Sequence, residues 1–437
     1  MSGVLWWAAR AVCAGVVVGF VSLALLNPVP GLAAVSPGTQ GLQGGWTVGD
    51  SGAVSFPHSL SSQLPIMPAA GAGWVRINFR LGACYKTWTI PVAEADVKPG
   101  GCDASVVGKT ALQAYDGVVD AVRANNLQVL GLVGGESWHG SQDEWQANNA
   151  ETTSGNGNNA YIGAFAANAG TLASHFAGRV NRWELWNEPN AWEFYDDVGH
   201  IWGSSYIYPS NFAWLLQRTN RSIKEANHGA VVVAGAVVGF GDTSATTTVV
   251  VDGKPQRVTR RATRPPTATR AASTVACVSN VPSGADYLCD SYRMGLARAG
   301  WARPFPFDEV GQHFYIDQAG TTSAATVTSY LEDVHKAVLA YERSQSKKRT
   351  EVTEFGWVAD YRSPTYAADE TRQAQNLRTT FTALRATSYV TRGYWFSVQD
   401  VEEGNVFYGL VENNYGTSSA SLTQAKPAFQ AYQQYAR

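Results

Sequence analysis

Two glutamates stand where apolar, strand-like segments end, and carboxylates in such places can carry acid and base chemistry. The first is Glu188, in the segment Trp183-Glu184-Leu185-Trp186-Asn187-Glu188-Pro189, which closes an apolar run that starts at Val180. Proline has no N–H to donate, so Pro189 ends the strand and leaves the carboxylate at its C-terminal tip. The second is Glu354, in Thr350-Glu351-Val352-Thr353-Glu354-Phe355-Gly356. The alternative for Glu188 is a strand-ending turn with a solvated side chain.

A pair of strand-end carboxylates suits cleavage of glycosidic bonds. Retaining glycosidases need two carboxyl groups about 5 to 5.5 Å apart across the scissile bond. Glu354 follows Glu188 by 166 residues, which leaves room for about three strand and helix units between them. In a parallel barrel the chemistry lies at the C-terminal strand ends, so the pair is expected on strands four and seven. Glu351, three residues before Glu354, is expected to be structural or a solvated strand start.

Short apolar runs alternate with longer helical patterns along the chain, which predicts an α/β fold, a (β/α)8 TIM barrel with long βα loops. The eight strands are expected at residues 46–49, 74–79, 127–133, 180–186 and 230–237, then at a sixth ending at 313, a seventh ending at 354 and an eighth at 393–397. Helices are expected at 111–124, 160–177, 212–226, 287–299, 327–344, 369–386 and 426–437.

Length and charge agree with a carbohydrate enzyme. The 437 residues exceed the roughly 250 of a bare barrel, which leaves room for a leader and long loops. The 33 Lys and Arg nearly balance the 35 Asp and Glu, which argues against nucleic acid as a partner and favours a neutral, glycan-like substrate. The 15 Trp and 19 Tyr could pack on sugar faces, although most are expected in the core.

The N-terminal segment is typical of export. Residues 1–34 combine Arg10, an apolar stretch and a small-residue region, which predicts a cleaved signal peptide or, alternatively, an uncleaved membrane anchor on the outer face of the cytoplasmic membrane. The catalytic domain would then be 35–437. Four cysteines remain there, and the simplest of three pairings joins Cys84 to Cys102 and Cys277 to Cys289.

Two loops interrupt the repeat. Residues 241–283 form an insertion after strand five with a Thr- and Arg-rich run, which is either a solvated loop or a basic surface for an anionic polymer or membrane. The loop after strand three holds Glu136 and Trp138. That places Trp138 at the barrel mouth, where substrate loops usually lie.

The motifs together resemble clan A glycoside hydrolases, the (β/α)8 glycosidases that include families 5 and 39. In that clan Asn187 would bind the sugar 2-hydroxyl, and Arg76 would lie beside the nucleophile. His313 and Tyr315 match a strand-six His-x-Tyr whose tyrosine orients the nucleophile. Trp395 matches a strand-eight tryptophan that forms the floor under the sugar. The alternatives are a structural ion pair for Arg76, a core position for His313 and a packing role for Tyr315.

One position departs from family 5, which expects a histidine at the end of strand three where this chain has Gly134-Gly135. Glu184 before the motif is closer to family 39, so the family stays open. The resemblance implies a secreted retaining glycosidase acting on β-linked poly- or oligosaccharides, with Glu188 as acid/base, Glu354 as nucleophile and no metal or organic cofactor. Alternatives are a transglycosylase, or a non-catalytic carbohydrate-binding protein at the cell surface.

Overall fold

The fold was obtained as a computed structural model. The structure describes residues 39–44, 60–82, 84–97, 102, 104–135, 160–191, 194–195, 201–202, 206–240, 246–251, 254–259, 283–343, 346–360, 363–401, 407–412 and 425–435.

Eight parallel strands form a closed barrel. They are β1 Gly41–Gly44, β2 Trp74–Asn78, β3 Gln128–Val133, β4 Arg182–Asn187, β7 Val231–Phe240, β10 Glu309–Tyr315, β11 Arg349–Phe355 and β12 Val390–Trp395, and each pairs with its sequence neighbour in this set. The barrel closes where Gly41 pairs with Tyr394 and Leu42 with Trp395. The Tyr432 hydroxyl donates to the Gly41 carbonyl at 2.9 Å and so ties the last helix to this seam.

Helices between the strands cover the outside of the barrel. They are α1 Leu60–Gln63, α2 Ile66–Ala70, α3 Ala111–Ala124, α4 Ala160–His175, α5 Pro209–Ala226, α6 Ala285–Ala297, α7 Ala324–Glu342, α8 Tyr366–Ala386 and α9 Pro427–Tyr435. The main apolar core lies between the two layers. On β2, for example, Val75 and Ile77 are buried in this core, whereas Arg76 between them points into the barrel, because side chains alternate along a strand.

The interior of the barrel holds two charged layers. Near the strand starts, Arg182 bridges Glu309 at 2.5 Å and Glu351 at 2.8 Å. Near the strand ends, Arg76 bridges Glu184 at 2.5 Å and Glu354 at 3.0 Å. A small apolar cluster also occupies the interior and consists of Leu130, Val233 and Tyr394. A buried charge needs a charged or hydrogen-bonded partner, and both layers meet that need internally.

The predicted barrel is confirmed, and strands two to eight lie within a few residues of their predicted positions. The predicted position of the first barrel strand was wrong. It is Gly41–Gly44, whereas the predicted residues 46–49 lie outside the described part of the chain. The short segment Gly-Leu-Gln-Gly has little hydrophobic pattern of its own. It lies in the barrel because Gly41 leaves room for Tyr394: a Cβ on Gly41 would come within 2.2 Å of that ring.

Part of the predicted insertion is ordered as a β-hairpin. Strands β8 Thr246–Val251 and β9 Lys254–Thr259 pair antiparallel within the segment 241–283 that the sequence predicted as a Thr- and Arg-rich inserted loop. A second small ribbon joins β5 Phe194–Tyr195 and β6 Ile201–Trp202.

The disulfide between Cys84 and Cys102 is present, with the Cα atoms 5.4 Å apart. Cys289 is also disulfide-bonded, but Cys277 lies outside the described residues, so that pairing stays a prediction. The predicted leader, 1–34, is likewise outside them. Among the helices that are described, none is both long and apolar enough to cross a bilayer.

Candidate active site

Glu188 lies just beyond the end of β4, where the backbone is bent. Trp186 and Glu188 have positive φ angles of 76° and 48°, a region that residues other than glycine rarely adopt and that costs about 1 kcal/mol or more for each. The bend breaks the two-residue alternation of the strand, and so both Asn187 and Glu188 reach the barrel mouth. The Asn190 amide fastens the following turn to β7, because it donates to the Val238 carbonyl and accepts from the Val238 N–H.

Glu354 lies opposite on β11 and is hydrogen-bonded at both carboxylate oxygens. Arg76 donates to Oε2 at 3.0 Å, and the Tyr315 hydroxyl makes a short hydrogen bond to Oε1. Burial followed by the nearby Glu354 raises the pKa of Tyr315 well above its ordinary value, so the phenol keeps its proton and acts as the donor. A cation and a neutral phenol therefore each donate a hydrogen bond to the Glu354 carboxylate, which holds both of its oxygens in place.

Arg76 is the centre of the upper charged layer. It is 1% exposed and donates to Glu184, Glu354, the Asn187 side-chain carbonyl at 2.8 Å and the Gln43 side-chain carbonyl at 3.0 Å. Burial alone would lower the pKa of Arg76, but Glu184 and Glu354 raise it above its usual value, so the guanidinium is always charged. The bond to Asn187 fixes the amide with its nitrogen as the donor that could reach a sugar hydroxyl.

His313 is fully buried on β10 and contacts the other carboxylate. Its Nδ1 lies 3.0 Å from Glu188 Oε1, and its Nε2 lies 3.0 Å from Thr353 Oγ1. Burial lowers the pKa of His313 to about 4, so the imidazole is neutral at neutral pH. A neutral imidazole carries one proton, and the hydrogen-bond partners decide which nitrogen holds it.

Glu188, Glu354 and His313 each place one atom within 4.8 Å of the others. A metal ion could use such spacing, but the Arg76 guanidinium 3.0 Å from Glu354 disfavours a second cation there. The nearest oxygens of the two carboxylates lie within 4.8 Å of each other, and the two carboxyl groups of retaining glycosidases lie about 5 to 5.5 Å apart. Inverting enzymes need roughly 6.5 to 9.5 Å to admit a water.

The sugar floor at Trp395 stays a prediction, and its ring belongs to the main apolar core. That indole is fully buried, stacks on Trp357 with centroids 6.2 Å apart, and donates to the Tyr408 carbonyl. Phe396, one residue later, is partly exposed and meets the rings of Tyr315 and Tyr408 edge-on or tilted. Successive strand residues face opposite sides of the sheet. A shift of one residue in the predicted position therefore replaces a ring that faces the barrel mouth with a ring that faces the apolar core.

The remaining predicted positions have mixed outcomes. Glu351 was expected to be either structural or a solvated strand start, and it is structural. It is fully buried in the lower charged layer and accepts a hydrogen bond from the Tyr394 hydroxyl at 3.1 Å. Trp138 and Glu136 lie outside the described residues. The contacts predicted for Arg76 and Tyr315 with Glu354 are present, and those for His313 with Glu188 were not foreseen.

Three side chains of the site were missed as participants: Gln43, Glu184 and Thr353. Glu184 could have been found, because a charge in the middle of an apolar strand must have a buried partner. Thr353 and Gln43 carried no such signal, since each owes its role to a neighbouring strand.

Comparison with known proteins gives likeness in structure only. No protein-family model and no curated protein matches this sequence. A family 39 glycoside hydrolase from the gut symbiont Bacteroides cellulosilyticus superposes with a TM-score of 0.53 at 15% identity, and the match covers 92% of this chain and 64% of that one. GH5_18 from Streptomyces cattleya, in complex with GlcNAc, gives 0.53 at 15% identity over 92% and 80% of the two chains.

An endo-β-1,4-mannanase from Thermotoga petrophila gives a TM-score of 0.50 at 10% identity over 92% of this chain and 77% of that one. This chain spans less than two thirds of the length of the family 39 enzyme. At such low identity, the likeness establishes that this chain has the barrel fold found in glycoside hydrolases of families 5 and 39.

Proposed function

We propose that this protein is a retaining glycoside hydrolase, with Glu188 as acid/base and Glu354 as nucleophile. The observation that carries the proposal is the approach of the two carboxylates to within 4.8 Å at the C-terminal mouth of the barrel. Their surroundings differ as the two roles require. Glu354 faces a guanidinium and a phenol, whereas Glu188 faces a neutral imidazole.

The reaction would proceed by double displacement. Glu354 attacks the anomeric carbon while the bond to the leaving oxygen breaks and Glu188 gives that oxygen its proton. Water then attacks the same carbon, the ester bond to Glu354 breaks, and Glu188 takes up a proton from the water. Each step inverts the anomeric centre, so the configuration is retained overall. The Asn187 amide nitrogen would bind the 2-hydroxyl, and Phe396 would supply the apolar face under the sugar.

The substrate we propose is a β-linked poly- or oligosaccharide of plant or microbial origin. Named neighbours of the same fold include a mannanase and an enzyme solved with GlcNAc, which supports a carbohydrate ligand without selecting the sugar. We further propose that the protein is exported. The leader pattern and the Cys84–Cys102 disulfide support this, because disulfides persist mainly in oxidising compartments.

The test is a mechanism-based trap. A panel of aryl β-glycosides and β-linked polysaccharides identifies a cleaved sugar, and its 2-deoxy-2-fluoro derivative with a good leaving group should esterify Glu354, as peptide mass would show. Glu354→Gly should lose nearly all hydrolysis and recover part of it with azide. The matched control is Glu351→Gln, because Glu351 lies on the same strand but in the lower layer. A first-formed sugar of inverted configuration, seen by NMR, would refute the proposal.

A further inference from the structure

A chain of hydrogen bonds joins the upper charged layer to the proposed acid/base through the two buried side chains of Thr353 and His313. It runs from Glu184 to Thr353, then to His313 and finally to Glu188. Glu184, Thr353 and His313 are fully buried, so no water competes for these bonds. Glu188 alone is partly exposed, at 19% of its side chain. These hydrogen bonds therefore connect the buried ion pair of Arg76 and Glu184 to the carboxyl group of Glu188.

The donors and acceptors along the chain can be assigned from chemistry alone. Glu184 accepts at both oxygens, from Arg76 at 2.5 Å and from the Thr353 hydroxyl at 2.8 Å. A threonine hydroxyl has one proton, and here that proton goes to Glu184. Thr353 Oγ1 can then only accept from His313, so the imidazole proton must lie on Nε2. The other contact between His313 and Glu184, 3.9 Å, is too long for a hydrogen bond.

This assignment decides the state of Glu188. With its proton on Nε2, the neutral imidazole presents the Nδ1 lone pair to Glu188 Oε1 at 3.0 Å. A carboxylate oxygen cannot bond to a lone pair, whereas a protonated carboxyl group donates to it. When Glu188 has given its proton to a leaving group, the lone pair and the carboxylate oxygen face each other unfavourably. Return of a proton from water relieves this contact, so the same arrangement also favours the base step.

We propose that Glu184 and Thr353 are positioning residues, which fix the tautomer of His313 and thereby keep the acid proton on Glu188 between turnovers. The tautomer does not depend on what the protein catalyses, and only the consequence for Glu188 rests on the proposed function. The arrangement also explains why β4 carries a charged residue in its buried middle. Glu184 orients the first hydroxyl of the chain, and Arg76 supplies the countercharge.

Several titratable and charged groups surround His313. Arg76 faces it from β2, Glu184 and Glu188 from β4, and Glu354 from β11, while Tyr315 is on its own strand and Tyr408 contacts Tyr315. The charged members are common to a wild-type protein and a Thr353 variant. A comparison of the two therefore isolates the hydroxyl.

The first measurement needs no turnover. In ¹⁵N-labelled protein at pH 7, imidazole NMR should show His313 protonated at Nε2 and unprotonated at Nδ1, with the signal assigned by its loss in His313→Gln. Thr353→Val, which keeps the shape but removes the hydroxyl, should move the proton toward Nδ1, where it can bond to ionised Glu188. Thr353→Ser should keep the wild-type tautomer. Protonation of Nδ1 in the wild-type protein would overturn the proposal.

The second measurement is the pH profile of kcat/KM on an aryl glycoside that the wild-type enzyme cleaves. Its alkaline limb reports loss of the proton from the acid in the free enzyme. Thr353→Val should move that limb to lower pH by about one unit, because the proton on Nδ1 can then bond to ionised Glu188 and stabilise it. Thr353→Ser should restore its position. A Val variant with a lower rate but an unmoved limb would show a purely structural role and refute the inference.

The two failures can be told apart. If no glycoside is cleaved but His313 carries its proton on Nε2, the proposed function is wrong and the hydrogen-bond chain stands. If Glu354 is trapped as an ester but His313 is protonated at Nδ1, the function stands and the positioning role of Glu184 and Thr353 is wrong.

Discussion

Lowering the pH should destabilise the folded protein through His313. This imidazole is fully buried, and burial lowers its pKa from 6.5 to about 4, whereas in the unfolded chain it titrates normally. Between these two values the unfolded chain binds a proton that the folded protein does not. Acid therefore favours the unfolded state, and the free energy of unfolding falls as the pH drops from about 6.5 toward 4.

The size of the effect follows from the interval between the two pKa values. Each unit corresponds to about 1.36 kcal/mol, so the fall from 6.5 to about 4 amounts to roughly 3 kcal/mol. No part of this loss is expected above pH 7, where the residue is neutral in both states. Since domains are typically stable by only about 5 to 15 kcal/mol, the loss is large enough to measure.

The assay is urea unfolding of the wild-type protein and of His313→Gln at several pH values between 7 and 4.5. Other titrating groups contribute to both proteins, so the difference between the two free energies of unfolding isolates His313. The variant is expected to be less stable at pH 7 and to lose less stability than the wild type on acidification. A difference that stays constant over this range would show that His313 is not held neutral by burial, and the reasoning would fail.

Two other changes separate the roles of neighbouring residues. Arg76→Met should lower the free energy of unfolding by about 3 to 5 kcal/mol, because it leaves Glu184 buried without its cation. Adding Glu184→Leu to this variant should recover at least about 1 kcal/mol. Equal losses in the single and the double variant would contradict the pairing of Arg76 with Glu184. Phe396→Ala should lower kcat/KM about tenfold with little effect on the free energy of unfolding, whereas Trp395→Ala should lower that free energy by about 3 to 5 kcal/mol. If instead Trp395→Ala lowers kcat/KM and Phe396→Ala lowers the stability, Trp395 forms the floor under the sugar.

Much of the fold could be predicted from sequence because the strongest signals are local. The run from Val180 to Pro189 combines an apolar strand with a residue that ends it, and β4 lies there. Helix α3 matches the predicted limits 111–124, and Thr110 caps it by accepting from the Gln113 N–H. Strand β1 could not be found in this way. Gly41 is needed there because a larger side chain would clash with the ring of Tyr394, which lies more than 350 residues later in the sequence.

In the candidate site, too, the residues with a local sequence signal could be predicted, whereas those that depend on distant contacts could not. Glu188 and Glu354 were recognisable because each ends a strand, and their positions on β4 and β11 bring them together across the mouth. The role of Trp395 as the sugar floor stays a prediction: its ring is buried, and the exact point at which β12 ends decides which ring faces the barrel mouth. The imidazole contact of Glu188 was not visible either, because it depends on the bend at Trp186 and Glu188.

The seam between β1 and β12 has a consequence for synthesis. Arg76 precedes Glu184 by 108 residues but Glu354 by 278, so its buried ion pair can form long before the nucleophile exists. At about 5 to 20 residues per second, the ribosome needs roughly 15 to 55 seconds to cover the longer interval. Throughout that time the free side of β1 has no partner, because Tyr394 and Trp395 come later still. An unpaired strand edge is a template for another chain, so the growing protein passes through a period in which it is vulnerable to aggregation.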